Sequence, residues 1–422
     1  MADSGAKPVE EATVPGNQAM ESAPTSLGLK SAATRFVLVV GIMSFFADFT
    51  YEGSRSILGP YLGFFGLGPT AISIVAGVGE LLGYGLRPLS GRLADTSKKF
   101  WPIAIFGYVI QMVAVPLLAF AGNWPIAAWL VVQERMGKAI RNPPRDVMLS
   151  HAGQQMGYGW AFGVHEALDQ SGALVGPVAI AAVFVSAGAG VGDYRTVYMY
   201  LAIPAAAMLS LLAAARHTYP HPENMEVSPP DLNPGGLPRI YWVYLSGTVL
   251  VGAGMGSWLL LSYHLLTAGI VSSPSLVAVF YAIAMGVSGG GSLLFGRIFD
   301  KVGLNILIPL TIASALAVPL VWLGGFGLSL VGVALWGLGT GVQESLIPAA
   351  VATMIPRERR ASAYGIFTAG YGISLFLGSV IIGLLYAVSL VSVVAFGIIA
   401  ELAAIPVFFW VARRRSKAVA GP

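Results

Sequence analysis

The sequence contains no cysteine and few charged residues. Asp, Glu, Lys and Arg together make up 10% of its 422 residues, whereas a soluble domain carries about 25%. The shortage of charge excludes an ordinary soluble enzyme. The absence of cysteine excludes disulfides, thiolate metal sites and thiol nucleophiles, and the sequence has no phosphate-binding P-loop motif. We therefore expect no metal, no cofactor and no nucleic-acid partner.

Long apolar runs take the place of the missing charge. Hydrophobic residues make up 56% of the chain, and a helix needs about 20 apolar residues to cross a bilayer. Runs of that length predict an all-α integral membrane protein with twelve transmembrane helices, called spans 1 to 12. They begin near Phe36, Thr70, Trp101, Trp124, Gly157 and Tyr194 in the first half, and near Ile240, Ser275, Leu304, Leu328, Ala361 and Val391 in the second.

A polar, proline-rich stretch divides the runs into two sets of six. It predicts a central loop over residues 216–238, between an N-terminal six-helix bundle over 31–215 and a C-terminal bundle over 239–415. Residues 1–30 lack an apolar core and favour a disordered tail, and residues 416–422 form a second tail.

The connections between spans alternate in charge. On one side, the connections at residues 63–69, 121–123, 267–274, 324–327 and 387–389 carry no charged residue, and the remaining connection carries only Asp193 and Arg195. The connections on the other side carry Lys and Arg. We call the two faces the uncharged side and the charged side. Because positively charged loops stay in the cytoplasm, we expect a multi-pass protein of the cytoplasmic membrane with both termini in the cytoplasm.

The two bundles also repeat each other in sequence. Three short motifs recur in the second half at nearly constant offsets, which predicts two pseudo-symmetric halves with a substrate path between them. The pairs are Gly91-Arg92-Leu93-Ala94-Asp95 with Gly296-Arg297-Ile298-Phe299-Asp300, Gln133-Glu134 with Gln343-Glu344, and Tyr158-Gly159 with Tyr364-Gly365.

The segment after span 2 resembles a signature of the major facilitator superfamily. Gly91-Arg92-Leu93-Ala94-Asp95-Thr96-Ser97-Lys98-Lys99 is similar to the family's Gly-x-Leu-x-Asp-x-x-Gly-Arg-Arg motif. The resemblance implies two six-helix bundles and a cytoplasmic gate made by Gly91, Arg92, Asp95 and Asp300. Asp95 is expected to contact the start of span 11, and Asp300 the start of span 5, because a helix N-terminus carries about half a positive charge.

Two further segments resemble bacterial efflux members of that family. The stretch from Glu134 to Asp146 is similar to one of them, and span 5 is similar to the start of a motif associated with exchangers. The exchanger-like positions are Gly172, Gly176 and Pro177. This resemblance implies export by antiport.

Charged residues inside the spans of the first half are the candidate site. Asp48, Glu52 and Arg55 lie on one face of span 1, since they are four and then three residues apart. A charged side chain in the bilayer normally faces a cavity or a partner, which favours a proton-coupling and substrate-binding role. The other candidates of this half are Glu80, Arg87, Glu134, Arg135, Lys138, His165, Glu166 and Asp169. Arg141, Arg145 and Asp146 fall near the charged side, where we expect snorkelling or a loop role.

The second half has far fewer charged residues within its spans. Gln343, Glu344, His264 and Glu401 are nearly its whole polar inventory there, so we expect it to contribute an apolar and aromatic binding surface. The candidate aromatic residues are Trp258, Tyr263, Tyr281, Trp336, Tyr364 and Tyr371.

These features predict a monomeric secondary transporter in the lipid bilayer that works by alternating access. The leading hypothesis is proton-coupled efflux of a small amphipathic or anionic compound, driven by the proton gradient. Two alternatives remain open. One is a proton-coupled symporter that imports an organic acid or sugar, and the other is an intramembrane lipid-modifying enzyme that uses His165, Glu166 and Asp169.

Overall fold

The computed structural model describes residues 26–156, 158–187, 190–221, 237–355 and 360–419, and these residues are helical apart from short connections. The helices are α1 Ser26–Phe64, α2 Pro69–Gly85, α3 Arg87–Ser97, α4 Phe100–Leu117, α5 Trp124–Met156, α6 Tyr158–Ala187, α7 Val191–Tyr200, α8 Ala202–Thr218, α9 Arg239–Gly254, α10 Trp258–Thr267, α11 Pro274–Val302, α12 Leu307–Leu323, α13 Phe326–Met354, α14 Arg360–Val388 and α15 Leu390–Val419.

The helices correspond to the twelve predicted spans. Spans 2, 6 and 7 each consist of two consecutive helices, namely α2 with α3, α7 with α8, and α9 with α10. Within the described part of the chain, 11 helices are long and apolar enough to cross a membrane. The remaining span is α5, whose 33 residues suffice for a crossing but include six charged side chains. Helix α1 begins at Ser26, inside the predicted N-terminal tail.

The break in span 7 has a clear local cause. Helix α9 ends at Gly254, and Gly256 takes a φ of +71°, a left-handed conformation that suits glycine. Helix α10 then starts at Trp258. Span 2 bends at Leu86 instead, because Pro88 in the first turn of α3 cannot continue the hydrogen bonding of α2.

Each half packs around two apolar clusters, one toward each side of the membrane. Within the first half α1 packs against α6 and α4 against α5, and within the second α11 packs against α13 and α9 against α15. The halves meet through α2 with α14, α6 with α11, and α1 with α10. Large apolar side chains such as Phe106, Val185 and Leu293 remain exposed on the outer surface, as lipid contact requires.

The halves close tightly against each other on the uncharged side. A Cβ added to Gly59 of α1 would lie 2.0 Å from the backbone oxygen of Leu259 and 2.3 Å from Oγ of Ser262, both in α10. The indole N–H of Trp258 donates to the carbonyl of Ser56 at 3.1 Å. Ser262 is fully buried there. The contact between α1 and α10 therefore seals this side.

Candidate functional site

A cavity of about 360 Å³ lies between the two halves and extends from the middle of the bundle toward the charged side. Its size falls in the range of small-molecule sites. The cavity wall includes these predicted residues: Asp48, Glu52, Arg55, Glu80, Arg87, Arg135, Lys138, Glu166, Asp169, Tyr281, Trp336, Gln343, Tyr364 and Tyr371. It also includes residues that we did not predict for it, among them Tyr51, Tyr84, Asn142, Arg145, Asp146, Gln170, Met255, Thr340 and Phe367.

The first-half wall is organised around Tyr51 and Glu80. The Glu80 carboxylate lies 2.9 Å from Arg135 and 3.2 Å from Arg55, so one acid is shared by two guanidinium groups. Both arginines also donate to the Tyr51 hydroxyl. Lys138 lies over the Tyr51 ring, 4.2 Å from its centroid. These contacts hold three cations against one tyrosine. The signal for Tyr51 was present in the sequence, since it falls four residues before Arg55 on the same helical face.

A second network runs behind this wall and corrects our expectation for Arg141. Its side chain does not snorkel but is fully buried. Its guanidinium donates to Gln111 at 2.5 Å and to Tyr108 at 3.2 Å, and it lies 3.5 Å from the Asp48 carboxylate. Gln111 in turn donates to Glu134 at 2.8 Å. Asp48, a leading proton-coupling candidate, is therefore ion-paired in this conformation.

Close helix packing makes that second network possible. A Cβ on Gly107 of α4 would lie 2.6 Å from the backbone nitrogen of Arg141, and one on Gly137 of α5 would lie 2.6 Å from that of Gln111. The two glycines thus let the backbones of α4 and α5 touch at the level of the network.

Several charged groups on the wall form no direct ion pair with another described residue. Among the described residues, Lys138 and Arg87 have no carboxylate oxygen within ion-pair distance, and Arg87 instead donates to the carbonyl of Gly83 at 3.1 Å. On the part of the wall formed by α6, Oδ1 of Asp169 has no hydrogen-bond partner among the described residues, and Glu166 accepts from Gln170 at 3.0 Å. The cavity therefore presents cations and carboxylates that are close enough to interact electrostatically without forming direct ion pairs.

Among the residues that the structure describes, the second-half wall is aromatic and uncharged. Tyr281 of α11 donates to the Glu52 carboxylate of α1, a bond that joins the two halves. Trp336 donates its indole N–H to the carbonyl of Gly256 at 3.2 Å, at the break in span 7. Gln343 approaches the Met255 sulfur at 2.7 Å. This wall contributes polarisable and hydrogen-bonding surface without charge.

Some predicted cavity residues lie elsewhere. Glu134 is buried behind the wall in the Gln111 network, and His165 is buried in the contact between α1 and α6, 2.7 Å from the Ser44 hydroxyl. Trp258 is fully buried beneath the wall. Tyr263 packs against Gly63 near the uncharged side. The side chain of Glu344 lies outside the described residues.

The exchanger-like glycines of span 5 are packing residues in this structure. A Cβ on Gly172 would lie 2.2 Å from the carbonyl oxygen of Phe45, and one on Gly176 would lie 2.4 Å from that of Phe49. They let α6 approach the backbone of α1, while Pro177 lies within α6. Their position explains how Asp48 of α1 and Asp169 of α6 come to interact electrostatically.

The predicted gate is described in part. Gly91 lies beside Pro143 and Arg92 is exposed, whereas the side chains of Asp95 and Asp300 lie outside the described residues. Near this gate a Cβ on Gly365 of the second half would lie 3.8 Å from Pro88, an ordinary van der Waals distance. That spacing contrasts with the tight seal on the uncharged side.

Relatives of known sequence cover most of the chain. A protein of Mycobacterium bovis and one of Mycobacterium tuberculosis, both described as uncharacterized, are each 39% identical to it over 384 residues, 90% of this chain and 93% of theirs. A shorter match, 31% identical over 140 residues, covers 33% of this chain and 35% of an uncharacterized MFS-type transporter of Methanocaldococcus jannaschii.

Solved structures of transporters share the fold. A mutant form of the nucleoside transporter NupG superposes with a TM-score of 0.70 at 14% identity, covering 88% of this chain and all of that one. A bacterial homolog of the human lysosomal transporter Spinster, in an inward-facing and unoccupied conformation, gives a TM-score of 0.64 at 13% identity, covering 91% of this chain and 97% of that one.

The family assignment rests on the sequence itself. The sequence model of the Major Facilitator Superfamily matches residues 40–343, well over half of the chain. The match spans both halves, and the two-bundle architecture with a central cavity agrees with it. The protein is a multi-pass membrane transporter that belongs to the Major Facilitator Superfamily.

Proposed function

We propose that this transporter exports a small amphipathic anion in exchange for protons. The observation that carries the proposal is the division of the central cavity into a charged wall and an aromatic wall. Lys138 and Arg87, which form no direct ion pair among the described residues, suit an anionic group. Trp336 and Tyr371 on the opposite wall suit an apolar, aromatic body.

The proton-coupling residues in this proposal are Asp48 and Glu52. Both lie on the cavity wall near the middle of α1, where alternating access would expose them to water from one side at a time. Asp48 interacts electrostatically with Asp169, and a shared proton removes the repulsion between two such carboxylates. Glu52 is bonded to Tyr281 of the other half, so its protonation is coupled to the contact between the halves.

The charge of the loops supports the orientation that we propose for the cavity. If the charged side faces the cytoplasm, as the positive-inside rule favours, the cavity described above opens to the cytoplasm. An exporter would load its substrate in this conformation. We accordingly propose that both termini are cytoplasmic and that the proton gradient supplies the driving force.

The test uses protein reconstituted in liposomes with a panel of aromatic carboxylates, each paired with its neutral amide. Compounds are first selected by the increase they cause in melting temperature, since a ligand that prefers the folded state stabilises it. We expect carboxylates to stabilise more than amides and to accumulate when a pH gradient is imposed. Accumulation that survives the collapse of both the pH gradient and the membrane potential would contradict proton coupling.

Amide variants identify the proton carriers. Asp48→Asn or Glu52→Gln is expected to abolish concentrative transport and to leave exchange of labelled for unlabelled substrate. Asp193→Asn serves as the matched control, because Asp193 lies near the uncharged side, where it caps α7 rather than lining the cavity. Uphill transport by both amide variants would show that other groups carry the proton.

Import by symport is the second candidate, and the interior pH distinguishes the two. When substrate is added outside liposomes loaded with a pH indicator, antiport makes the interior more alkaline and symport makes it more acidic. The lipid-modifying enzyme is disfavoured by the family assignment and by the geometry. His165 bonds to Ser44, whereas Glu166 and Asp169 face the cavity.

A further inference from the structure

Glu401 is a buried carboxyl that the proposed transport cycle does not use. It lies in α15 of the second half and is 0% exposed, and neither of its carboxyl oxygens has a hydrogen-bond partner among the described residues. No ion pair of the described residues includes it. An unpaired charge inside a membrane protein is costly and usually marks a functional site.

A small pocket adjoins this carboxyl. Its wall includes Glu401, Ser314, Trp322, Met255 and Trp336, and the Ser314 hydroxyl is the polar group nearest in kind to a partner for the Glu401 carboxyl. Met255 and Trp336 also belong to the wall of the central cavity. A single layer of side chains therefore separates Glu401 from the transport path.

Glu401 also packs directly against the break in span 7. A Cβ added to Gly254, the last residue of α9, would lie 2.8 Å from Cγ of Glu401. The last carbonyls of a helix lack intrahelical partners and carry partial negative charge. A carboxylic acid can donate a hydrogen bond to such a carbonyl, whereas a carboxylate is repelled by it.

The helix beyond the break forms the seal on the uncharged side. Trp258 and Ser262 of α10 contact α1 there, and both are fully buried. A change in the angle between α9 and α10 about Gly256 would therefore open or close this side.

We propose that Glu401 is a proton-binding site of the second half that controls the break in span 7. With the proton bound, α9 and α10 keep the arrangement seen here and the seal holds. Loss of the proton repels the carboxylate from the end of α9 and opens the seal between α1 and α10. The proposal rests on the proposed proton-driven alternating access and adds to it a proton site outside the charged first half.

The chemistry of the pocket favours a proton over a metal ion. Glu401 and Ser314 are the side chains on its wall that bear oxygen, and the others are apolar, aromatic or thioether groups. Hard cations such as Ca²⁺ take about six to eight oxygen ligands. A proton needs a single acceptor.

The charged and titratable neighbours are few. Helix α15 packs against α9, α12 and α14. The titratable side chains that α9 and α14 carry within the membrane are tyrosines, which stay neutral near pH 7, and α12 carries none. His264 of α10 bonds to Tyr386 and lies beside Trp322, so it is the neighbouring histidine whose contribution a substitution must test.

The absence of cysteine permits a direct conformational test. Ser262→Cys places a thiol in the buried seal, and its rate of reaction with a charged maleimide is measured in nanodiscs between pH 5.5 and 8.5. Gly122→Cys, at an exposed glycine with no neighbour within 4 Å, corrects for the intrinsic reactivity of the thiol. We expect the corrected labelling rate of Ser262→Cys to rise at least about fivefold with pH, a typical size for coupling between sites.

Variants of Glu401 decide the outcome. In the Ser262→Cys background, Glu401→Gln should hold the rate low at every pH, whereas Glu401→Asp and His264→Gln should keep the pH dependence. A rise with pH that persists in Glu401→Gln, or a flat profile in the parent, overturns the proposal. A rate that depends on Na⁺ rather than pH, and loses that dependence in Glu401→Gln, replaces the proton with a metal ion.

The same experiment separates this proposal from the proposed function. The labelling rate reports the conformation of the protein without any substrate. If pH-dependent labelling requires Glu401 but no carboxylate is transported, the proposed substrate and coupling are wrong and the proton site stands. If proton-driven transport is observed but labelling does not depend on pH, the proposed function stands and the proton site at Glu401 is wrong.

Discussion

The two halves of this transporter share an architecture but differ in how they place charge. All five ion pairs among the described residues lie within the first half. The polar contacts between the halves include hydrogen bonds from Tyr281 to Glu52, from Trp258 to Ser56 and from Thr70 to Gly383. The halves can thus separate without breaking any of these ion pairs. When one half rocks against the other, the contacts that break are then hydrogen bonds that water can replace. Buried charge pairs stay intact.

The largest expected effect tests whether the first-half charges are structural as well as functional. Arg141→Gln leaves Asp48 buried without its cation, and the free energy of unfolding should fall by about 3–5 kcal/mol. Thermal unfolding in detergent, with and without a stabilising ligand, measures this loss. The matched variant in the second half is Glu401→Gln, which removes an unpaired carboxyl and should not lower the stability.

The double variant Asp48→Asn/Arg141→Gln completes the test. Because it removes both charges, it should recover part of the stability that Arg141→Gln loses. If the double variant loses more free energy of unfolding than the two single variants lose together, the pair is not the reason for the burial of Arg141. Equal losses for Arg141→Gln and Glu401→Gln would contradict the contrast between the halves.

The next largest effect concerns packing within a half and between halves. In Gly172→Ala the new Cβ would meet the carbonyl oxygen of Phe45 at 2.2 Å, so α1 and α6 must move apart. Such overpacking costs about 1–3 kcal/mol, again measured by thermal unfolding. Gly286→Ala is the control, because its Cβ would lie 3.6 Å from Leu174 across the interface between the halves. A similar loss in both variants would mean that the two kinds of contact are equally rigid.

The sequence predicts the membrane fold of this protein better than the details of its site. Apolar runs locate most span starts closely, as in Thr70 against the observed Pro69 and Ser275 against Pro274. The start of α1 at Ser26 was missed because Ser26–Ser31 are not apolar. Helical spacing also placed Asp48, Glu52 and Arg55 together on the cavity wall.

The sequence does not predict how each helix is rotated about its own axis or at what angle it crosses its neighbours. Arg141 lies near the charged end of α5, and the close approach of Gly107 and Gly137 is what brings it to Gln111 and Asp48. Such a contact between distant segments leaves no local pattern. Trp258 and Tyr263 were misplaced for the same reason, since the break at Gly256 turns α10 toward the seal instead of the cavity.

A smaller effect tests whether the first half recognises the charge of the substrate. Lys138→Gln removes a cation that forms no direct ion pair among the described residues, so the affinity for an aromatic carboxylate should fall about tenfold, or about 1.4 kcal/mol. The affinity for the neutral amide should not change. Binding is measured by calorimetry or by thermal shift at several concentrations. Lys301→Gln, at an exposed lysine away from the cavity, is the control. An equal loss for acid and amide would remove the recognition role of Lys138.

The smallest effect tests the second half by the same pair of ligands. Trp336→Phe removes the indole bond to Gly256 and part of the aromatic wall, and binding should weaken by about 0.5–1.5 kcal/mol. Because the described residues of this wall carry no charge, the carboxylate and its amide should lose affinity equally, in contrast to Lys138→Gln. If only the carboxylate lost affinity, the second half would also recognise the charge of the substrate. It would do so through the orientation of Gly256 and the end of α9. In that case the division of the cavity into a charged and an aromatic wall would not describe how the substrate is held.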